Sequence, residues 1–595
     1  YDGDDRVTAW VNPAGGRVDT TYDALDRVVG YTVDDGARTE TATLSWAGVD
    51  RLARAADDDS DVRWTYDEAG RLATVTQHHP GMAQPITLEY AVEAGRVYAV
   101  TYPALPGFEG GTFDLGYGAG GHLEQIYAPD GRSYDLPRDD GGRLEAFQID
   151  WGDTLDVAYG YDAAGRVDSV VAYPDSWREQ VAWRVACAYD VDDVRLSEDG
   201  PEGQVAYTYD GLRRLIGVTR SAAEDEQFAW DARGDPTGPD VAADAHGRVT
   251  AVGDVAYAFD AAGRVVERTD ADGARLRFAW DADDKLVEVA HVPAGDDAAD
   301  WTLTYRYDAL GRLIARGVDG DLTFYVYDRD DLVLEVGADG AVQALHLHGG
   351  DVDTPLATRR GADEVVYLRD PVGSVRALMR PGEAAPFATF AWSAFGRLLD
   401  QTGDTAPRFG FHGAYRDADT GLVWLRLRWY DPVAGRFLST DPLRFTTLSN
   451  PYAFPGLDPV GGRDPWGAGP PRAVKVAYAA RKTYTEAKGF ADAVRDPKNL
   501  AIKVATDSAA KVATMVGGKD AGRAVDFAVK TAANKGIGPG VDDVLKYAYD
   551  AWQAKDDCGR AKVGGQVFKD LLRGNKTFSK AVDDFLNLGN LVPGR

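Results

Sequence analysis

Cysteine is almost missing from this chain: 595 residues carry only Cys187 and Cys558. Two cysteines so far apart in sequence give no basis for a disulfide framework or a thiolate zinc site. Long apolar runs are missing too. No stretch of about 18 apolar residues occurs, so no transmembrane helix is predicted. No signal-peptide pattern is visible. The opening Tyr1-Asp-Gly-Asp-Asp-Arg already reads as part of a repeat, so Tyr1 is expected not to be the natural start. Two further absences are local. All eight histidines lie before Ala468, and Lys285 is the one lysine of sixteen that does. From Gly469 onward there are 22 basic and 14 acidic residues, against 43 and 81 before it, so a segment of net +8 follows one of −38. Two polypeptides of different character have been joined. The alternative is a pair of ordinary domains that differ in isoelectric point. The length exceeds what one hydrophobic core holds, and a hydrophobic fraction of 44% is that of a folded protein.

What is present, repeatedly, is a seven-residue unit: aromatic-Asp-x-x-Gly-Arg-Leu/Val. It occurs at Tyr66–Leu72, Tyr161–Val167, Phe259–Val265 and Tyr307–Leu313, with looser copies at Tyr22–Val28, Trp46–Leu52 and Tyr209–Leu215. Neighbouring copies lie close to 20 residues apart, as in Trp46 to Tyr66 and Tyr307 to Tyr327. Each piece has a physical role. The aromatic ends a strand and packs on a sheet face. Asp bonds its own backbone to start a turn, and Gly supplies the positive φ. Arg-Leu/Val opens the return strand. A hairpin every 20 residues cannot bury its face alone, but a stack of hairpins can. Residues 1 to about 405 are therefore predicted to be a β-solenoid or spiralling ribbon, and the chain mainly β.

A second block follows: Tyr367-Leu-Arg-Asp370-Pro-Val-Gly373-Ser374-Val-Arg376, Arg408-Phe-Gly-Phe411, the run from Asp417 to Pro442, Asn450-Pro-Tyr452-Ala453-Phe454 and Asp464-Pro465-Trp466-Gly467. The repeat resembles the YD repeat of the RHS family, shared with the B and C components of Tc toxins and with teneurins. The second block resembles the RHS-associated core. The resemblance implies a ribbon coiled into a hollow shell over residues 1–405. It implies a plug and self-cleavage segment over 406–468 and a variable effector over 469–595. It also implies a cut after Asp-Pro-x-Gly-hydrophobic, carried by two aspartates and an arginine. Placed by motif, these are Asp441, Asp464 and Arg428, with the cut between Ala468 and Gly469. Two carboxylates in one site can divide the acid and base roles, and a guanidinium can hold one of them ionised. The family usually has Leu, Ile or Met where this chain has Ala468. Asp-Pro is also a common turn pair, and Asp458-Pro-Val-Gly461-Gly462 is a weaker candidate site. The resemblance further implies a delivery apparatus, an immunity protein, and secretion or delivery into target cells.

After Gly469 the texture becomes Ala- and Lys-rich with helical spacing. Helices are predicted over 474–491, 500–516, 521–533, 541–554, 565–572 and 578–588, making a small all-α domain. Its lack of histidine excludes HNH nucleases, His-dependent ribonucleases and zinc deaminases of the H-x-E type. Cys558 has no histidine partner. Asp542-Asp543, Asp556-Asp557 and Asp583-Asp584 read as helix-start acids rather than Mg²⁺ ligands. The +8 charge suits nucleic acid, an anionic membrane, or an acidic enclosure. His346-x-His348 places two imidazoles on one strand face with no third ligand, so no metal is expected, and no cofactor. Two other functions compete with a toxin-delivery protein: an adhesive YD-repeat surface protein with an inert tail, and a shell carrying a membrane-active helical module.

Overall fold

The computed structural model describes residues 2, 6–150, 154–175, 177–238, 240–442 and 450–468. The helices predicted after residue 473 lie outside the described residues. Within them the protein is almost wholly antiparallel β, with two short 3-10 turns, Phe411–Gly413 and Pro455–Leu457. Twenty strands, from Ala9–Val11 to Glu226–Gln227, form one sheet in which each strand pairs with its neighbour in sequence. Sixteen more, from Val241–Ala243 to Leu398–Thr402, form a second. Tyr415–Arg416, Val423–Leu425, Arg428–Asp431 and Arg436–Phe437 form a third, of four strands.

The repeat explains the hairpins atom by atom. In the copy at Tyr161, the Asp162 carboxylate accepts the backbone N–H of Ala164 at 2.9 Å and of Arg166 at 3.0 Å, and the Arg166 Nε–H at 2.7 Å. Gly165 turns the chain at φ +83°. Arg166 then lies over the ring of the next aromatic, Tyr189, at 4.8 Å, and the Tyr189 hydroxyl donates to the carbonyl of Val167 at 2.8 Å. So the Arg and Val that close one turn hold the aromatic that opens the next. Tyr66 donates to Leu52 and Tyr327 to Leu313 in the same way, while Trp280 donates its indole N–H to Val265. Where the turn glycine is replaced, Asp193, Arg213 and Asp284 take the left-handed conformation in its place.

The second sheet follows the first in the same direction. Asn12 bonds Ala282, Gln77 bonds Tyr327, Glu202 pairs with Arg376, and Glu226 accepts from Ala394. Gln77 does so with both ends of its amide, to the Tyr327 carbonyl at 2.7 Å and from its N–H at 3.0 Å. Alternate residues of the second sheet face opposite ways. Phe324, Val326, Val366 and Leu368 pack into a core with Ile86, Leu88 and Phe113 of the first sheet. Tyr325, Tyr327, Val365 and Tyr367 pack into another with Phe409, Tyr415, Trp424 and Trp429. The middle of the second sheet is thus buried on both faces, and strands there, such as Asp331–Gly337 and Asp363–Arg369, are buried almost continuously. First-sheet strands alternate, as in Ile86–Glu93.

Candidate functional site

The four-stranded sheet brings the motif-rich tail of the described chain to one place by packing it on the long sheets. Trp429 is buried and donates its indole N–H to the Tyr307 hydroxyl at 2.8 Å. Tyr305 and Arg316 both bond the buried Asp417. Arg408 makes a two-pronged bridge to Glu335 at 2.7 and 2.9 Å. At the seam between the two long sheets, Asn450 donates to Asp235 at 2.7 Å and to the Gly247 carbonyl at 2.9 Å. These contacts fix residues 408–442 and 450–468 against the long sheets before any chemistry is considered.

Arg428, Asp441, Asp464 and Ala468 converge there. Arg428 is 3% exposed, with its guanidinium 3.5 Å from the centre of the Phe437 ring. It donates through Nε to the Gly467 carbonyl and through Nη1 to the Pro451 carbonyl at 2.9 Å, and its Nη2 lies 3.5 Å from Asp441. The Pro451 carbonyl also accepts the Asp441 backbone N–H at 3.0 Å, which fixes where that aspartate sits. Asp464, 1% exposed, accepts the Ala468 N–H at 3.1 Å. One peptide unit, Gly467–Ala468, is therefore held at its oxygen by Arg428 and at its nitrogen by Asp464. Gly467 adopts φ +64°, and a β-carbon there would stand 2.6 Å from the Leu425 carbonyl oxygen, so glycine is required on both counts. Burial pulls the Arg428 guanidinium down to about 10, while the charges of Asp441 and Asp464 act the other way. Ala468 is fully buried, in a small cluster with Trp466, Val352 and Leu427. Gly469, on the far side of the expected cut, lies outside the described residues.

The other candidates are placed differently. Asp458 accepts the Gly461 N–H at 3.0 Å and closes a turn. His346 is buried between Glu335, at 3.0 Å, and the Thr358 hydroxyl, at 2.7 Å; burial pulls it down to about 4. His348 bonds the Leu332 carbonyl, and both imidazoles meet the ring of Phe409 edge-on. Among the described residues no group of three or more His, Cys, Asp or Glu could hold a metal ion. Cys187 is a buried thiol, pushed up by burial to about 12.

Sequence reasoning missed Arg426, Asp353 and Arg463. Arg426 makes a two-pronged bridge to Asp353, with both bonds at 2.9 Å, and donates to the Pro465 carbonyl at 2.6 Å. Arg463 donates to the carbonyls of Val352, Asp353 and His412. Arg426 is two residues from Arg428 and was legible as a neighbour, but nothing in the spacing links it to Asp353.

The teneurin YD-shell family model matches residues 191–457. The chain is 30% identical over 518 residues to the toxin protein Tse5 of Pseudomonas aeruginosa, covering 73% of this chain and 38% of that protein. It is 28% identical over 454 residues to the double-stranded DNA deaminase toxin A of Burkholderia cenocepacia, covering 68% of this chain and 30% of that one. Among solved structures, a TcdB2-TccC3-TEV crystal structure aligns with a TM-score of 0.57 at 16% identity, covering 76% of this chain and 26% of that one. This chain therefore spans 38% and 30% of the lengths of the two curated relatives named here. Hairpin ribbon and terminal segment together define a YD-repeat protein with an RHS-associated core. The YD-shell family match and the similarity to these toxins support an RHS/YD-repeat polymorphic toxin.

Proposed function

We propose that this chain is the C-terminal part of a toxin in which the ribbon encloses residues 469–595 and releases them after cutting its own backbone between Ala468 and Gly469. The observation that carries this reading is the convergence of Arg428, Asp441 and Asp464 on the segment that ends at Ala468. Water supplies the nucleophile. One carboxylate removes its proton as the oxygen bonds the Ala468 carbonyl carbon, and the other protonates the Gly469 nitrogen as the C–N bond breaks. The products are a carboxylate on Ala468 and an amine on Gly469. Arg428 positions the strand and supplies positive charge beside the reacting centre.

The cargo reading rests on charge. A +8 segment beside one of −38 is attracted without a specific interface. Relatives are named as a DNA deaminase and as tRNA nucleases. Residues 469–595 contain no histidine, so a zinc deaminase of the H-x-E type is excluded for this cargo. An immunity protein for the producing cell and a delivery apparatus are part of the proposal. No helix among the described residues is long and apolar enough to cross a membrane.

The test is protease access on undenatured protein. Lysine-directed protease should spare residues 469–595, although they hold fifteen of the sixteen lysines. Rapid loss of that segment with the ribbon left whole contradicts enclosure. Expression of residues 469–595 in bacteria should arrest growth. Dye entry at the moment of arrest would direct the effector to membranes, and no effect at any level would favour the adhesive reading.

A further inference from the structure

Left-handed backbone at non-glycine residues costs energy and persists where surrounding contacts enforce it. Three such residues meet around the Asp464-Pro-Trp-Gly turn: Asp353 at φ +57°, His412 at +57° and Arg426 at +56°. Arg426 is the centre of a three-residue turn, since the Leu427 N–H donates to the Leu425 carbonyl at 2.7 Å. With positive φ this is the rarer, strained form of that turn. It joins Val423–Leu425 to Arg428–Asp431, so the strain sits two residues from Arg428. The same Leu427 N–H reaches the Trp466 carbonyl at 3.2 Å, and the Leu425 carbonyl is the atom against which Gly467 lies.

We infer that Arg426, locked by Asp353, is a positioning residue of the self-cleaving centre: it clamps the Pro465-Trp466 peptide so that Gly467 and Ala468 reach Arg428 and Asp464. This rests on the self-cleavage reading. Every polar contact of the Arg426 head serves the clamp. Two bonds go to the Asp353 carboxylate, one to the Pro465 carbonyl, and one to the Asp330 carbonyl at 3.2 Å. The guanidinium also lies 5.1 Å from the centre of the Trp466 ring. Arg463 holds the other side, tying the residue before Asp464 to the Asp353 and His412 carbonyls. The two arginines of the Leu425-Arg-Leu-Arg428 run thus divide the work. Burial opposes the charge of both, but at Arg426 the bond and charge of Asp353, with the charges of Asp331 and Asp330, together outweigh it and hold the group above the ordinary guanidinium range, whereas Arg428 falls to about 10. Arg426 binds the turn through a carboxylate of its own; Arg428 meets Asp441 and the Gly467 carbonyl. A clamp of this kind also suits a chain with Ala468, because a methyl group fixes the strand less firmly than a larger side chain does.

The test uses the full chain made by cell-free translation, with cleavage followed over time on denaturing gels and fragment masses measured. Arg426→Gly is the informative variant, since glycine accepts the left-handed turn and the side chain is lost without added backbone strain. Cleavage should slow by about ten-fold or more, Asp353→Asn should slow it similarly, and added guanidinium ion below denaturing concentration should restore part of the Arg426→Gly rate. Arg426→Lys keeps the charge and stem but not the fork, and should also be slow with an unchanged thermal midpoint. If Arg426→Gly and Asp353→Asn cut at the wild-type rate and at the same bond, the clamp is wrong and the self-cleavage reading stands. If the variants are slow, melt earlier, and gain nothing from added guanidinium ion, the role is merely structural and the inference falls. Wild type that never cuts overturns the self-cleavage reading, and the clamp with it.

Discussion

The two long sheets are built from one repeat, yet they differ in what covers them. In the first, hairpins such as Trp46–Leu52 and Tyr66–Leu72 leave half-exposed strands with alternating burial. In the second, Asp321–Asp328 and Asp363–Arg369 are buried on both faces, with the first sheet on one side and the terminal segment on the other. The same tyrosine, two residues after an apolar partner, is half-buried at Tyr66 and fully buried at Tyr327. The repeat therefore sets the hairpin, and the neighbouring layer sets its energetics. Residues 408–442 and 450–468 pack on the second sheet through Phe409, Tyr415 and Trp429, and on Val205, Tyr207, Leu215 and Val218 of the first through Phe411, Tyr430 and Phe437, so the precision of the candidate site depends on both.

That comparison is broken most forcefully at tryptophan. Trp429→Ala removes a buried ring from between Tyr305, Tyr307 and Tyr415 and should cost about 3–5 kcal/mol in chemical denaturation. Trp177, 83% exposed on the first ribbon, should cost no more than about 0.5 kcal/mol when changed to alanine. Equal losses would mean that the two regions are not packed as described.

A smaller effect depends on pH. Burial pulls His412 down to about 3 while its Nε2–H donates to the Pro459 carbonyl at 2.8 Å. Its folded value lies below the unfolded one near 6.5. The stability it contributes is therefore complete above that unfolded value and is lost as pH falls toward the folded one. Asparagine tolerates the left-handed backbone there. The stability deficit of His412→Asn against wild type should accordingly shrink by about 2–3 kcal/mol between about pH 7 and about pH 4. A deficit independent of pH would show that the imidazole titrates normally.

The smallest effect sharpens the same contrast. Tyr327→Phe deletes a fully buried hydroxyl and leaves the Leu313 carbonyl without its donor, for about 1–2 kcal/mol. Tyr66→Phe makes the same deletion on the first ribbon, where water can replace the hydroxyl at the Leu52 carbonyl, for about 0.5 kcal/mol or less. Denaturation midpoints of the two variants give the difference directly, and identical losses would remove the distinction between the layers.

Much of this was legible in the sequence. The seven-residue unit carries its turn chemistry in adjacent positions, so Asp162, Gly165 and Arg166 could be assigned roles from spacing alone. Arg428, Asp441 and Asp464 could be marked because the terminal signature is long and ordered. What could not be read were the partners set by the return of the ribbon. Gln77 meets Tyr327 and Asp353 meets Arg426 across hundreds or tens of residues with no periodic signal between them. The alternation of strands likewise foretold one buried face, not that a second sheet would need two. The left-handed turn at Arg426 was hidden as well, because no glycine marks it.

The most direct test of the central claim is the intact mass of the purified, denatured chain beside an Asp464→Asn variant. The account predicts two wild-type fragments, one ending at Ala468 and the other beginning at Gly469, and a single uncut chain for the variant. A wild-type chain that remains whole over days, or a variant that is cut at the same bond, would contradict it.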